Sequence, residues 1–473
     1  MSATDATDAR AGLAAAADPA AAPAFTPPPG FRFGVATAAY QIEGSTLADG
    51  RGESIWDRFA HTPGSVANGD TGDVACDHYR RWRADVDLMA SLHVESYRFS
   101  IAWPRIVPTG AGTVNQRGLD FYKRLAEGLR ERGIEPIATL YHWDLPQALQ
   151  NAGGWANRDT ALRFAEYARV VGDELGDVVG SWITHNEPWV VAFLGHAYGT
   201  KAPGIRDWAT ALRASHHLLL SHGLATEALR GVLPAAAEVG LALNLFPVVP
   251  AVDDEAHREA ARVRDGYVNR WFLDPVFCGA YPQDMVARYE REVGPLDAVR
   301  DGDLATIGAP IDFLGVNYYN PMRVEPSAVA PLHVADAEAV GPTTGMGWEI
   351  APDGLRRILG RVREEYTRLP ILITENGSAF EDGPVVDGGV EDPERRAYLA
   401  GHLEALGQAI ADGSDVRRYY VWSLLDNFEW EEGYDQRFGI VHVDFDTQAR
   451  TPKASALFYR DYIDRARGAG QEG

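Results

Sequence analysis

Eight times between residues 31 and 428 the chain repeats one unit: a short apolar or aromatic run, a polar cluster at its end, then a stretch with helical spacing. The runs fall at 31–41, 95–103, 135–144, 180–187, 239–246, 311–319, 370–375 and 418–428. Between them, Leu119, Tyr122, Leu125 and Leu129 share one helical face, as do Leu355, Ile358 and Val362. Residues 454–467 have the spacing of a closing helix. Strands that alternate with helices pair in parallel, and parallel strands are buried on both faces. The run Pro370-Ile371-Leu372-Ile373 has the uninterrupted apolar character that such burial requires.

Eight such units predict an α/β fold: a single (β/α)8 TIM barrel with extended βα loops. An open doubly wound sheet is the competitor, but no Gly-x-Gly-x-x-Gly follows the first run. A barrel with insertions can exceed ~400 residues, which suits a chain of 473. Residues 1–24 are Ala-rich, carry only Arg10 as a basic residue, and lack the basic and apolar regions of a signal peptide. They read as a disordered tail before a catalytic barrel at 25–473, and a cytoplasmic protein is expected. With 67 acidic against 44 basic residues the net charge is −23, which repels phosphate backbones and argues against nucleic-acid binding. No charge-free apolar run of about 18 residues predicts a membrane span. Cys76 and Cys278 cannot build a disulfide framework or a cysteine-rich metal site, and two unpaired buried thiols are expected. Only Lys123, Lys201 and Lys453 are lysines.

Barrel active sites form at the C-terminal ends of the strands. Here those ends are polar and aromatic: Gln41-Ile42-Glu43, Trp103, His142-Trp143-Asp144, Asn186-Glu187, Asn317-Tyr318-Tyr319, Glu375-Asn376 and Trp422 through Trp430. Their convergence on one rim describes a pocket. Glu187, before Pro188, and Glu375, before Asn376-Gly377, end the fourth and seventh runs. Two opposed carboxyl groups around a sugar are what glycosidic cleavage needs; taken singly, each equally suits a loop cap or an ion pair with an Arg. Arg98, mid-run among apolar residues, requires an anionic partner. A structural salt bridge and a pocket carboxylate are equal candidates for that partner. Trp103, Trp143, Trp182, Trp348, Trp422 and Trp430 are candidate platforms for a sugar face. His142 and His185 read as core or sugar-bonding groups, since no His-x-His lies near a strand end. No metal and no cofactor are expected.

The motifs taken in order resemble glycoside hydrolase family 1, the retaining β-glucosidases. They are Phe31-Arg32-Phe33-Gly34 through Gln41-Ile42-Glu43-Gly44, Tyr97-Arg98-Phe99-Ser100, Tyr141-His142-Trp143-Asp144-Leu145-Pro146, Thr184-His185-Asn186-Glu187-Pro188, Ile373-Thr374-Glu375-Asn376-Gly377, Trp422 through Trp430, and Arg437-Phe438-Gly439. The resemblance implies Glu375 as nucleophile and Glu187 as general acid/base. It also implies that Arg98 and Tyr319 bond the nucleophile, with Asn317 close by. Gln41, His142, Asn186, Glu429 and Trp430 would hold sugar hydroxyls over Trp422, with Trp143 and Phe438 in the same pocket and Trp348 stacking on the leaving group. A small-molecule β-glycoside is the implied partner. His185 stands where the family more commonly has Phe. On this reading the carboxyl groups lie ~5–5.5 Å apart. Arg98 is expected to lower the pKa of Glu375, while the neighbouring charge raises that of Glu187. A non-catalytic sugar-binding barrel and a metal-dependent barrel hydrolase are the rival readings.

Overall fold

Each of the eight runs encloses a strand or coincides with one to within one or two residues at its start or end: β1 (Arg32–Ala36), β2 (Ser96–Ser100), β3 (Glu135–Tyr141), β4 (Ser181–Asn186), β5 (Glu238–Asn244), β6 (Phe313–Asn317), β7 (Ile371–Asn376) and β8 (Val416–Trp422). The computed structural model describes residues 25–469, so the tail expected at 1–24 lies outside the described residues. Most strands stop short of the ends of their runs, because the polar residues there leave the ladder and turn into loops. The first run bends after Ala36 into a helical turn, Ala39–Ile42. All eight strands pair in parallel with their sequence neighbours, and β1 closes on β8 into a barrel.

Side chains alternate between the axis and the helix layer. On β8, Arg418, Tyr420 and Trp422 share the inner side. Arg418 closes the N-terminal end of the barrel by donating to Glu135 at 2.7 Å and Glu238 at 3.0 Å, the first residues of β3 and β5. Gly240 on β5 is required by close approach, since a Cβ there would lie 2.4 Å from the Phe313 ring. Outside the barrel, the helix Gln116–Glu131 buries Leu119, Tyr122, Leu125 and Leu129, and Leu355, Ile358 and Val362 are buried likewise. The closing helix Ala454–Ala469 sets Tyr459 and Tyr462 edge-on against Phe33 of β1.

The βα loops carry the additions. Val248–Pro250, Met322–Pro326 and Val334–Asp336 form a three-stranded sheet beside the C-terminal mouth, and a π-helical stretch, Val190–Tyr198, follows β4. Among the described residues no helix is long and apolar enough to cross a membrane. Both cysteines are free; Cys76 is buried as expected, but Cys278 is exposed, at the C-terminal cap of the otherwise largely buried helix Trp271–Phe277.

Two candidate platforms belong to the core instead. Trp103 stacks on Tyr167 with ring centroids 5.0 Å apart and packs against Phe164, both on the helix Asp159–Leu175. Trp182 is also fully buried, and its indole N–H is spent on the Val179 carbonyl at 3.2 Å. Their positions place these rings between barrel and helices, away from the axis. Trp103→Ala is therefore expected to destabilise the fold by about 3–5 kcal/mol, the range for emptying a buried aromatic site. Chemical denaturation measures this, and a loss below about 1 kcal/mol would contradict the packing described.

Candidate active site

Arg98 on β2 is the centre from which the site is built. Its guanidinium, buried at 1% exposure, donates from Nη1 to Glu375 Oε1 at 2.7 Å and to the Thr374 carbonyl at 3.0 Å. Nη2 donates to Asn186 Oδ1 at 2.7 Å and Nε to Thr139 Oγ1 at 3.1 Å. The anionic partner that Arg98 requires is thus the strand-end carboxylate of β7. The other oxygen of Glu375 accepts from the Tyr319 hydroxyl at 2.6 Å. Glu187 has a weaker donor: Asn317 Nδ2 at 2.7 Å, itself 3.0 Å from Asn186 Oδ1. A chain of amides and one guanidinium therefore links the two carboxyl groups while treating them unequally.

Local backbone irregularity aims these side chains. The pairing register shifts between Ile183 and Asn186 on β4, and between Ile373 and Glu375 on β7. On β4 the shift turns His185 outward to Ser221, with its Nε2 2.7 Å from the hydroxyl, while Asn186 turns inward. His185 is thus a core residue packed on Phe164, and it does not touch the acid beside it. Trp143, Glu187 and Trp430 all hold positive φ, at 79°, 49° and 52°. Such backbone costs on the order of 1–3 kcal/mol per residue and persists only where surroundings over-determine it.

The carboxyl groups face a cavity of about 460 Å³, within the size range of ligand sites. Its lining includes His142, Trp143, Glu187, Tyr319, Trp348, Glu375, Trp422, Glu429, Trp430 and Phe438. Gln41, Arg98, Asn186 and Asn317 are not in that lining and stand buried behind it. Gln41 Nε2 donates to Asn427 Oδ1, the Phe428 carbonyl and Glu429 Oε2 at 2.9–3.1 Å. Gln41 Oε1 and His142 Nδ1 are buried without a hydrogen-bond partner. Unspent polar atoms beside a cavity are what a polyhydroxylated ligand can satisfy. The His142 ring lies parallel to Trp422 and Trp430 at 5.6 and 5.9 Å, giving one wall aromatic faces.

Burial pushes the pKa of Glu187 up to about 8, reinforced by the charge of Glu375 and opposed by the Asn317 hydrogen bond. Burial also raises Glu375 above its ordinary value, with Arg98 and Tyr319 pulling it back. Arg98 lowers the pKa of Glu375, as expected, but desolvation outweighs the cation and the net shift is upward. Arg98 and the phenol still make Glu375 the more readily ionised of the two, since Glu187 has only an amide. Desolvation holds His142 far below its usual range, so it is a neutral imidazole. Glu429 is lifted to about 8 by burial, with Lys201 opposing.

Lys201, Arg323 and Asn244 are among the cavity residues that sequence reasoning missed. Lys201 pairs with Glu431 and lies 5.7 Å from the Trp143 ring centroid. Arg323, on the accessory sheet, stands 3.5 Å from Glu349. Asn244 ends β5 and was open to the same strand-end argument that found the others; the loop residues Lys201 and Arg323 had no such signal.

A closed parallel barrel whose C-terminal mouth sets a readily ionised carboxyl group beside a protonated one, among aromatic faces and unspent polar atoms, defines a glycosidase with a pair of carboxyl groups at the bond it cleaves. Residues 25–467 match the model of glycosyl hydrolase family 1, and the chain belongs to that family. It is 50% identical to β-glucosidase A of Thermotoga maritima, over 92% of this chain and 97% of that one. It is 49% identical to a 1,4-β-D-glucan glucohydrolase of Thermotoga neapolitana, over 92% and 98%. The crystal structure of the family 1 β-glucosidase from Exiguobacterium antarcticum superposes with a TM-score of 0.91 at 49% identity, covering 93% of this chain and 99% of that one.

Because the charge of Glu375 contributes to raising Glu187, Glu375→Gln should lower the pKa of Glu187 while leaving it above 4.5, as burial remains. Carboxyl-carbon NMR against pH measures this. In the unaltered enzyme the acid must be protonated, so kcat/KM should fall as pH rises through about 8. A Glu187 titration by NMR that does not move in Glu375→Gln would show that the two groups are not coupled.

Proposed function

We propose that the protein is a retaining, exo-acting β-glucosidase that removes terminal non-reducing β-D-glucosyl residues from cellobiose, short cellodextrins and aryl β-glucosides. The observation that carries this reading is the unequal support of the two carboxyl groups: Arg98 and Tyr319 on Glu375, against Asn317 alone on Glu187. The names of the similar proteins support it, as does the cavity shape. The lining runs from the buried Trp143, Glu429 and Trp430 to the half-buried Trp348 and, on the accessory sheet, Met322. Such a pocket takes one terminal sugar and leaves the leaving group toward solvent. β-Galactoside and β-fucoside hydrolysis are expected as side activities, because the same Gln41 and Glu429 can meet their hydroxyls.

In the first step Glu187 gives its proton to the glycosidic oxygen while a Glu375 oxygen attacks the anomeric carbon. The C–O bond to the leaving group breaks, the alcohol departs, and a glycosyl ester forms on Glu375. Forming the ester removes the Glu375 charge, which lowers the pKa of Glu187 when it must become a base. Glu187 then takes a proton from water, the oxygen attacks the same carbon, and Glu375 is released with configuration retained. Arg98 and Tyr319 hold Glu375 in position. The Tyr319 phenol stays protonated throughout, because burial and the adjacent carboxylates raise its pKa far above the usual range.

Azide rescue of activated glucosides tests the assignment of roles. Glu375→Gly should form no glycosyl ester and give the α-glucosyl azide, whereas Glu187→Ala should still form the ester and give the β-azide. The same anomer from both variants would sink the assignment.

The glycone is expected to be neutral and unphosphorylated. Glu429, its pKa lifted to about 8 by burial, can exchange hydrogen bonds with sugar hydroxyls but offers no cation to balance a buried 6-phosphate of ~−1.5 to −2 charge. Arg437 is committed to Asp426 at 2.8 Å, and Lys201 is paired with Glu431. Comparable kcat/KM for an aryl β-glucoside and its 6-phosphate would overturn this expectation.

A further inference from the structure

Beneath the loop that follows β8 lies a cluster of opposite charges that the reaction does not use. Asp382, Asp392 and Asp426 face Arg395, Arg437 and Lys453. Lys453 is one of only three lysines in the chain and has 0% exposure. Its Nζ donates to Asp382 Oδ2 at 2.5 Å and to Asp426 Oδ1 at 2.8 Å. Asp382, Asp426 and His442 each offer a ligand atom within 4.8 Å of the others, the spacing of a cation site. The ammonium of Lys453 sits against both carboxylates of that group, so the protein's own side chain supplies the cation.

What this cation holds is the sugar-facing loop. Asp426 Oδ1 also accepts the Gly439 amide at 3.0 Å, and Oδ2 accepts Arg437. The next residue, Asn427, accepts from Gln41, whose amide also donates to Glu429. Asp382 belongs to the loop that follows the nucleophile strand β7, where Arg395 ties it to the Ser378 and Arg437 carbonyls. Without the ammonium, the carboxylates of Asp382 and Asp426 would face each other, side chains 3% and 0% exposed, with one cation too few. Repulsion or protonation would then move the segment carrying Asn427 and Glu429. An arginine here would add a longer planar group between Arg395 and Arg437, which already occupy the flanks.

Resting on the β-glucosidase reading above, we propose that Lys453 is a positioning residue for sugar recognition: by holding Asp426 against Asp382 it sets the loop that presents Asn427, Glu429 and Trp430 to the glycone. The test compares Lys453→Met with the unaltered enzyme on aryl β-D-glucoside and on its 4-deoxy and 6-deoxy counterparts. With the loop displaced, kcat/KM for the glucoside should fall about 10-fold or more, as when a site built for hydroxyls loses its alignment. The fall should be smaller on at least one deoxy substrate, so that the preference for the full hydroxyl set shrinks. Asp382→Asn, which reaches the loop through Lys453 and Arg395, should shift the preference in the same direction if Lys453→Met does not fold. Lys123→Met, on the surface, should leave all three rates unchanged. Equal losses on the three substrates, or a lower Tm with the preference intact, would overturn the proposal while leaving the β-glucosidase reading standing. An unaltered enzyme that does not discriminate among the three would overturn the proposal, and one that hydrolyses none of them would overturn both.

Discussion

A guanidinium enclosed near the barrel axis is tolerable only if anions and carbonyls surround it, and Arg98 meets that demand by binding four groups from three strands. The contact to Glu375 is the one on which the chemistry depends. Removing either partner of a buried ion pair leaves an unmatched charge, typically at a cost of about 3–5 kcal/mol. The pair therefore fixes the side chain of the nucleophile and, through Asn186, the end of β4 that carries the acid. Two carboxyl groups in equivalent surroundings would share their proton indifferently. The placement of one cation and one phenol on the same side makes them different reagents.

That difference is sustained by a dry site. Burial is the largest influence on both catalytic carboxyls and on Glu429, and it raises all three. Burial alone would leave three neutral acids. Arg98 and the Tyr319 phenol oppose it at Glu375, while Glu187 lies under the added charge of Glu375 and keeps its proton; Lys201 opposes it at Glu429 without overcoming it, and that group stays at about 8. The site thus uses desolvation as a uniform upward pressure and places its buried cation, Arg98, at the one carboxyl group whose ionisation the reaction needs.

The accommodation for this arrangement is local backbone strain at the rim. Trp143, Glu187 and Trp430, all in the cavity wall, adopt left-handed conformations that side chains disfavour. Surrounding contacts enforce them: the Trp143 indole donates to the Asn186 carbonyl at 3.0 Å, and its ring packs on Trp430 with centroids 4.5 Å apart. The ionic cluster around Lys453 underpins the same loop from the opposite side.

Much of this was open to reading in the residues themselves. Strand-helix alternation is a local property with a fixed period, so eight apolar runs with helical stretches between them determine a parallel barrel without reference to any contact. The polar ends of those runs, Asn186-Glu187 and Glu375-Asn376 among them, then determine which mouth carries the chemistry, because a barrel has only one C-terminal face. The sequence could not decide which way a side chain at a strand end turns. Trp103 and Trp182 look like Trp422 in the chain, yet they lie in the helix interface, since the turn that Trp103 opens after β2 and the side to which Trp182 points on β4 are settled by neighbouring elements. Nor could it decide which residues distant in the chain share a space: Lys201 beside Glu431, Arg323 beside Glu349, Lys453 between Asp382 and Asp426. The balance that left Glu375 above its ordinary pKa despite Arg98 was likewise a tertiary outcome. Desolvation depends on how completely the whole fold excludes water, a quantity no single segment of chain possesses.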